Sequence, residues 1–482
     1  MIIKNSSHQN LFLLFLFIVV SFTLTTTILE NLPSDYGAYY AYGMFINEDY
    51  SLYNQAFDHK GPAYYYFIKL IGNLFGWGSY YLFLPFYFTV LLFLSSIFFF
   101  LKNFHKNRDK VFILSFAAIA TLSFQSGNGS IVFFQISCIL FHIGFLIKFI
   151  KLNIFYNYIF FIIFFWFAAF TRIDGLIFIL LILFHIIFLT NDKKTRIFCI
   201  ITTLTLGYLV YFLFSNYFNF NLNMFLNSNI FFNLIYPEKF SGGFLSHFHK
   251  PESIKIFFGS GIGILFIIIL NQILSNKKFN NMKTYKKLEP KFVITFISSL
   301  FLIFIFLLPK TEQAHYVLNL QVGCLMLCSM MLGLVNIKKT ILIPIFLVFV
   351  YGYLATTIFP AYKFFRDFGC LNTLTCKSLD DIKVTVRDST NYDKVNIIYG
   401  NGWINILSNR SPSISILNWP VIDKDKIKKF YNLLNNFEEI IAKENQILWV
   451  EKSIFDKFKE KYNYLNINKL DTQGIYYKIL IN

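Results

Sequence analysis

Eleven apolar runs constrain this chain before anything else does. They cover residues 11–29, 80–101, 111–124, 131–150, 155–171, 175–190, 197–215, 254–274, 292–308, 315–335 and 340–358. A helix needs about 20 apolar residues to cross the roughly 30 Å hydrocarbon core of a bilayer. Backbone inside that core must satisfy its own hydrogen bonds, which a helix does. Of the 482 residues only 14% are charged and 56% are hydrophobic, whereas a soluble domain carries about 25% charged residues. The expected fold class is a polytopic α-helical membrane protein with about 11 transmembrane helices. The stretch PAYYYFIKLIGNLFGW (62–77) is apolar but interrupted, and reads as a helix lying on the membrane surface or re-entering it.

The net charge of +17 does not indicate a nucleic-acid partner, because the basic residues sit in short loops between apolar runs. With a cytoplasmic N-terminus, Lys4, 102–110, Lys148 and Lys151, 191–196, 275–291 and 336–339 fall on one side, with 18 Lys and Arg against three acids, Asp109, Asp192 and Glu289. Positive charge concentrated in cytoplasmic loops is the usual topology signal. It puts the acidic loop 30–79 and the C-terminus outside, in a multi-pass protein of the cytoplasmic (inner) membrane. No small-residue cleavage pattern follows the first run, so that run reads as an anchor.

From about residue 361 the composition becomes that of a soluble protein, which divides the chain into a membrane domain (1–360) and an extracytoplasmic domain (361–482). Short apolar runs at 395–400, 446–450 and 474–480 read as strands, and 424–443 has apolar residues at helical spacing. The expectation is a small C-terminal α/β domain. Cys138, Cys199, Cys324 and Cys328 fall in apolar runs and read as buried side chains. Cys370 and Cys376 in the outer domain are either a disulfide or two free thiols.

The unusual residues gather on the outer side. SDYGAYYAYGMFINEDYSLYNQAFDHKGP (34–62) holds Asp35, Glu48, Asp49, Asp58 and Lys60. Arg172 lies in AAFTRIDGL between two runs, and His315 and Tyr316 open another. Ionisable groups at membrane depth are costly and point to function. A carboxylate with Lys, Arg and His on the same face suits chemistry on a phosphate-bearing lipid. The tyrosines after Asp35, Tyr39 among them, fit either stacking on sugar faces or an interfacial aromatic belt. His247 and His249 have no neighbouring acid or cysteine and read as plain loop residues.

An Asp after the first run, a Tyr-rich helix, an Asp-x-Lys-x-Pro-like turn and a surface helix resemble the GT-C fold glycosyltransferases that use polyprenyl-phosphate sugars. The branch is that of the bacterial relatives of protein mannosyltransferases and aminoarabinose transferase. The resemblance is carried by SDYGAYYAYG (34–43), LYNQAFDHKGPAYYYFIKLIGNLFG (52–76), SGNGS (126–130), TRIDG (171–175), EQAHYVL (312–318) and VNIIYGNGWINILSNRSP (395–412). It implies that Asp35 is the general base, deprotonating an acceptor hydroxyl that displaces polyprenyl phosphate with inversion. Lys60, Arg172 and His315 would hold the phosphate, with Tyr316, Tyr39 and Asp58 as further substrate contacts. The implied partners are a lipid-linked sugar donor, a glycan, lipid or protein acceptor, and membrane lipids.

Two departures accompany the resemblance. The family's Lys-Pro-Pro turn is here His59-Lys60-Gly61-Pro62, where Gly61 still allows a tight turn. Many members carry a second acid in the stretch matching 124–135, whereas this chain has Asn128 and Gln135 there. Metal dependence is open for that reason, and no metal ligand is assigned. Asp58, Glu48 and Asp49 are available as substitutes but read chiefly as solvated loop residues. The long segment 216–253 is of the kind that overlies the active-site mouth in this fold. A transporter or flippase of lipid-linked saccharides, and a non-catalytic family member, are the alternative readings.

Overall fold

The computed structural model describes residues 11, 14–22, 25, 34–46, 51–53, 58, 60–77, 83–122, 130–190, 192–231, 263, 266–267, 271, 289–307, 317–334, 396–398, 415–416, 446–451, 455–461, 467–473 and 476–481. By contacts the chain divides into two compact units. One comprises Met1–Thr27, Phe86–Val210 and Phe240–Lys363, and the other Ile28–Pro85, Tyr211–Lys239 and Phe364–Asn482.

The helices in order are α1 (Ser34–Phe45), α2 (Ala63–Phe75), α3 (Phe83–Phe104), α4 (Arg108–Leu122), α5 (Ser130–Leu152), α6 (Phe155–Ala169), α7 (Ile179–Phe184), α8 (Lys193–Phe218), α9 (Leu222–Leu226), α10 (Pro290–Leu307), α11 (Val317–Leu334) and α12 (Phe455–Lys461). Among the described residues, four helices are long and apolar enough to cross a membrane: Leu84–Phe104, Ile131–Leu152, Lys193–Phe218 and Pro290–Leu307. Polar residues in left-handed conformation close two of the long helices, Asn153 (φ 51°) after α5 and Asn219 (φ 50°) after α8. Asn tolerates that conformation better than most side chains, which makes it a natural helix stop.

The expected surface helix is α2, which follows Pro62 and ends at Gly76. The run 175–190 departs from expectation. It is not one α-helix but a 3₁₀ segment (Ile173–Phe178), then α7, then a π segment (His185–Leu189). Such segments mark places where helical hydrogen bonding is re-registered.

In the first unit, aromatic contacts set the direction of each helix. Phe93 of α3 meets Phe133 near the start of α5, and Phe99 meets Phe145 farther along, so the two helices run the same way. Phe141 stacks on Phe164 and Phe149 meets Tyr158, so α6 runs back against α5. Phe155 touches Phe198, and the Trp166 indole N–H donates to the Thr203 carbonyl at 3.0 Å, so α8 runs with α6. Gly323 abuts Ile303 while Gly333 abuts Phe292, which makes α10 and α11 antiparallel. This alternation collects Lys102, Lys110, Lys148, Lys151, Lys193 and Lys291 at one end of the unit, as the loop charges require. Along α8 the side chains of Phe198, Ile201, Leu204, Leu209 and Phe212 are exposed. An apolar face of that extent is what a lipid environment covers.

At the basic end the His105 ring nitrogen Nε2 stands 2.8 Å from Ser329 Oγ of α11, and the Lys110 ammonium donates to the Leu332 carbonyl. Burial first, then Lys110 and Lys291, lowers the His105 imidazole from 6.5 to about 4. The unfolded chain therefore takes up the proton before the folded one does. Stability from this group is full above about 6.5 and is lost as pH falls toward about 4, by about 3 kcal/mol at most. Thermal unfolding of wild type and His105→Gln between those pH values should show a shallower slope in the variant. Equal slopes would remove His105 as the cause.

The C-terminal residues form a five-stranded sheet of order β2-β1-β3-β5-β4. Its strands are β1 (Asn396–Ile398), β2 (Ser415–Ile416), β3 (Gln446–Glu451), β4 (Ile467–Gln473) and β5 (Tyr476–Ile481). β1 pairs in parallel with β2 and β3, and β5 antiparallel with β3 and β4. Three of these strands match the apolar runs in the sequence. β4 (INKLDTQ) is too polar to stand out and is held by pairing with β5. The expected helix 424–443, Cys370 and Cys376 lie outside the described residues.

Candidate functional site

The second unit places the centre of the segment 30–79 on two packed helices. α1 and α2 approach closely at Gly43, where a Cβ would stand 2.5 Å from Ile68 Cγ2. Tyr39, Tyr40, Tyr42, Tyr64 and Tyr65 are all buried. Tyr40 meets Trp77 edge-on at 5.5 Å and Tyr42 meets Tyr65 at 5.6 Å. Tyr40 and Tyr42 are thus neither an exposed aromatic belt nor an open sugar platform. They are the core that fixes α1 against α2. On another face of α2, Tyr66 packs on Tyr217, and the Lys69 ammonium donates to the Ile46 carbonyl at the end of α1. Burial lowers the Lys69 pKa.

Lys60 sits just before α2. Its ammonium donates to Tyr39 Oη and lies 4.5 Å from the centre of the Tyr39 ring. Position 35 is one helical turn before Tyr39 on α1, and residues spaced i, i+4 share a helix face. Asp35 and Lys60, 25 residues apart in the sequence, are thereby linked through Tyr39, whose side chain meets Lys60 and whose position on α1 follows position 35 by one turn.

Asp58 corrects the sequence reading. It is not a solvated loop residue: it is 0% exposed. Its Oδ1 accepts the Lys60 backbone N–H at 3.2 Å, and its Oδ2 accepts the Tyr65 hydroxyl at 2.5 Å. The loop's alternation of charged and polar residues hid this, because burial here depends on the tyrosines of α1 and α2. Glu48, Asp49, His315, Tyr316, Asn128, His247 and His249 lie outside the described residues.

Arg172 belongs to the first unit, at the end opposite the basic loops. Its guanidinium pairs with Asp174 at 2.9 Å, both side chains being 13% exposed. Gln135 of α5 donates through Nε2 to Asp174 Oδ1, and lies within 3.5 Å of the Arg172 carbonyl. Asp174 stands within the TRIDG motif, but spacing alone does not pair it with Gln135. The stretch 124–135 has no acid of its own, and its Gln135 contacts a carboxylate from 39 residues away. Among the described residues, no three His, Cys, Asp or Glu side chains gather as a metal site.

The turn that carries Arg172 is tightly built. Its N–H donates to the Ala168 carbonyl at 3.2 Å and its carbonyl accepts from the Gly175 N–H at 3.0 Å. A Cβ on Gly175 would stand 2.7 Å from the Ala168 oxygen and 2.8 Å from its carbon. Both are backbone atoms, so the turn itself must move. Gly175→Ala should cost about 1–3 kcal/mol, read as a lower thermal midpoint. An unchanged midpoint would show that the turn yields freely.

The segment 216–253 begins as structure rather than loop. Asn221 accepts the Met224 N–H at 2.9 Å and caps α9, which continues as a π segment to Phe231. Phe220 and Phe225 of this segment hold the Tyr53 ring.

No protein-family model matches the sequence, and no curated protein matches it either. Two crystal structures of ArnT from Cupriavidus metallidurans share its fold. The apo form aligns with a TM-score of 0.62 and the form bound to undecaprenyl phosphate with 0.63, each over 97% of both chains at 11% identity. The chain has the GT-C fold of these polytopic membrane proteins.

Proposed function

We propose that this chain is a membrane glycosyltransferase that moves a sugar from a polyprenyl-phosphate donor to an extracytoplasmic hydroxyl. One observation carries the reading: in a chain with this fold, Lys60 meets Tyr39 one helical turn from Asp35. The Asp35 carboxylate takes the proton of the acceptor hydroxyl. The hydroxyl oxygen attacks the anomeric carbon as the bond from that carbon to the phosphate oxygen breaks. The bonding pair leaves with the phosphate, releasing polyprenyl phosphate and inverting the anomeric centre. Lys60 stabilises the charge on the leaving phosphate, where preorganised cations contribute most, and Arg172 and His315 are further candidates for that task. Tyr39 holds the Lys60 ammonium in place, Tyr316 contacts phosphate or sugar, and Asp174 orients Arg172.

The basic end of the helices is the cytoplasmic one by the positive-inside rule. The loop 30–79 and the domain 361–482 then lie outside the inner membrane, and eleven crossings satisfy both. The acceptor is a glycan, a lipid or a protein hydroxyl.

The test is a panel of polyprenyl-phosphate sugars offered to the purified full-length protein in liposomes. Release of polyprenyl phosphate, with an inverted anomeric configuration in the product, is the expected result. Lipid movement across the bilayer without sugar transfer would replace this reading with a flippase. Neither transfer nor movement would leave a non-catalytic member of the fold.

A further inference from the structure

Lys60 is held at both of its peptide groups as well as at its ammonium. Asp58 Oδ1 takes its N–H at 3.2 Å, and the Tyr53 hydroxyl donates to its carbonyl at 2.8 Å. Tyr53 is itself an unusual residue, with φ at 67°. A bulky side chain in the left-handed region is costly and persists only where its surroundings impose it. Here they do: the neighbouring Leu52 N–H donates to the Phe218 carbonyl at 3.1 Å, and the ring packs on Phe220 at 5.2 Å.

Asp58 spends a buried carboxylate on this loop, although burying a charge costs far more than burying an amide. An Asn would close the same short turn through one acceptor oxygen. What a carboxylate adds is a second strong acceptor, and the Tyr65 hydroxyl fills it at 2.5 Å. Tyr65 stands on α2, and its ring meets Tyr42 at 5.6 Å and Tyr39 at 6.1 Å, both on α1. The Asp58–Tyr65 bond therefore ties the loop of Lys60 to α2, and the Tyr65 ring contacts extend the tie to α1, the helix of position 35. Burial, followed by the Asp58 carboxylate, pushes the Tyr65 phenol well up, which keeps it a hydrogen-bond donor.

We propose that Asp58, Tyr65 and Tyr53 are positioning residues that fix Lys60 relative to α1, and that Asp58 is neither a base nor a substrate contact. The proposal rests on the reading of Lys60 as a phosphate contact. The clamp acts through the backbone of residue 60, so it sets where the ammonium stands without touching the donor. Tyr53 and Tyr65, to which the motif 52–76 that contains them assigns no role, thereby become determinants of lipid-phosphate recognition.

The experiment measures the affinity of the full-length protein in detergent for polyprenyl phosphate alone, which needs neither the sugar nor the acceptor to be known. Tyr65→Phe is the primary variant because it removes one hydroxyl and no packing volume. Tyr65→Phe and Tyr53→Phe should each weaken binding about tenfold, and Lys60→Met by at least as much. The decisive arm is Tyr65→Phe in the Lys60→Met background, where no further loss is expected because the positioned group is gone. A general structural role would weaken both backgrounds by the same factor, and that outcome, or an unaffected Tyr65→Phe, overturns the clamp. If Lys60→Met itself binds polyprenyl phosphate as wild type does, the phosphate role of Lys60 fails instead.

Discussion

Asp35→Asn is expected to lower sugar transfer by roughly 10²–10⁴-fold, the span that a single general base contributes. The expectation comes from its place in the first turn of α1, one turn before the tyrosine that meets Lys60. Asparagine keeps the shape and the hydrogen-bonding oxygen but cannot accept the acceptor's proton. A merely structural role for Asp35 makes a different prediction. An acid in the first turn of a helix stabilises it by about 0.3–1 kcal/mol through the helix dipole, so Asn would shift the thermal midpoint slightly and leave turnover intact. Turnover with the donor that wild type uses, and the thermal midpoint, should be measured together. Transfer within a few-fold of wild type would remove Asp35 as the base.

Lys60→Met should lower transfer by roughly 10²–10³-fold, the loss seen when one preorganised stabiliser of developing charge is removed. Methionine retains the length and apolar stem of the side chain, so contact with the Tyr39 ring survives while the charge does not. Lys60→Arg should recover only part of the activity. The ammonium is a compact charge set over the ring at 4.5 Å and bonded to its hydroxyl, whereas a guanidinium is planar and spreads its donors in a fork. The measurement is kcat together with KM for the lipid-linked donor. Full activity in Lys60→Met would remove the phosphate role, and full rescue by Arg would show that charge alone matters at this position.

Much of the architecture was legible because it follows from local composition. The lengths of the apolar runs announced helices, and the loop charges announced their alternation. The directions of α3, α5, α6, α8, α10 and α11 agree with that alternation through contacts such as Phe141 on Phe164 and Gly333 on Phe292. β1, β3 and β5 were visible as short apolar runs in a soluble stretch. β4 was not, since INKLDTQ is ordered by its partner strand rather than by its own residues. The run 175–190 looked like one helix because hydropathy does not distinguish 3₁₀, α and π turns.

The candidate site was legible only in outline. Asp35, Lys60 and Arg172 stood out because charge is rare beside apolar runs, and rarity is a property of the chain itself. The state of Asp58 is not such a property. The same carboxylate is solvated in a free loop and buried when Tyr65 and the tyrosines of α1 close over it. Nor could spacing show that Asp174, rather than a residue of 124–135, is the acid beside Gln135. Hydropathy and charge act one residue at a time along the chain, so membrane class and the rare ionisable residues could be read directly. Burial and hydrogen bonding act between residues that the fold brings together, so Tyr65, Tyr53 and Asp174 acquired their places only when the helices packed.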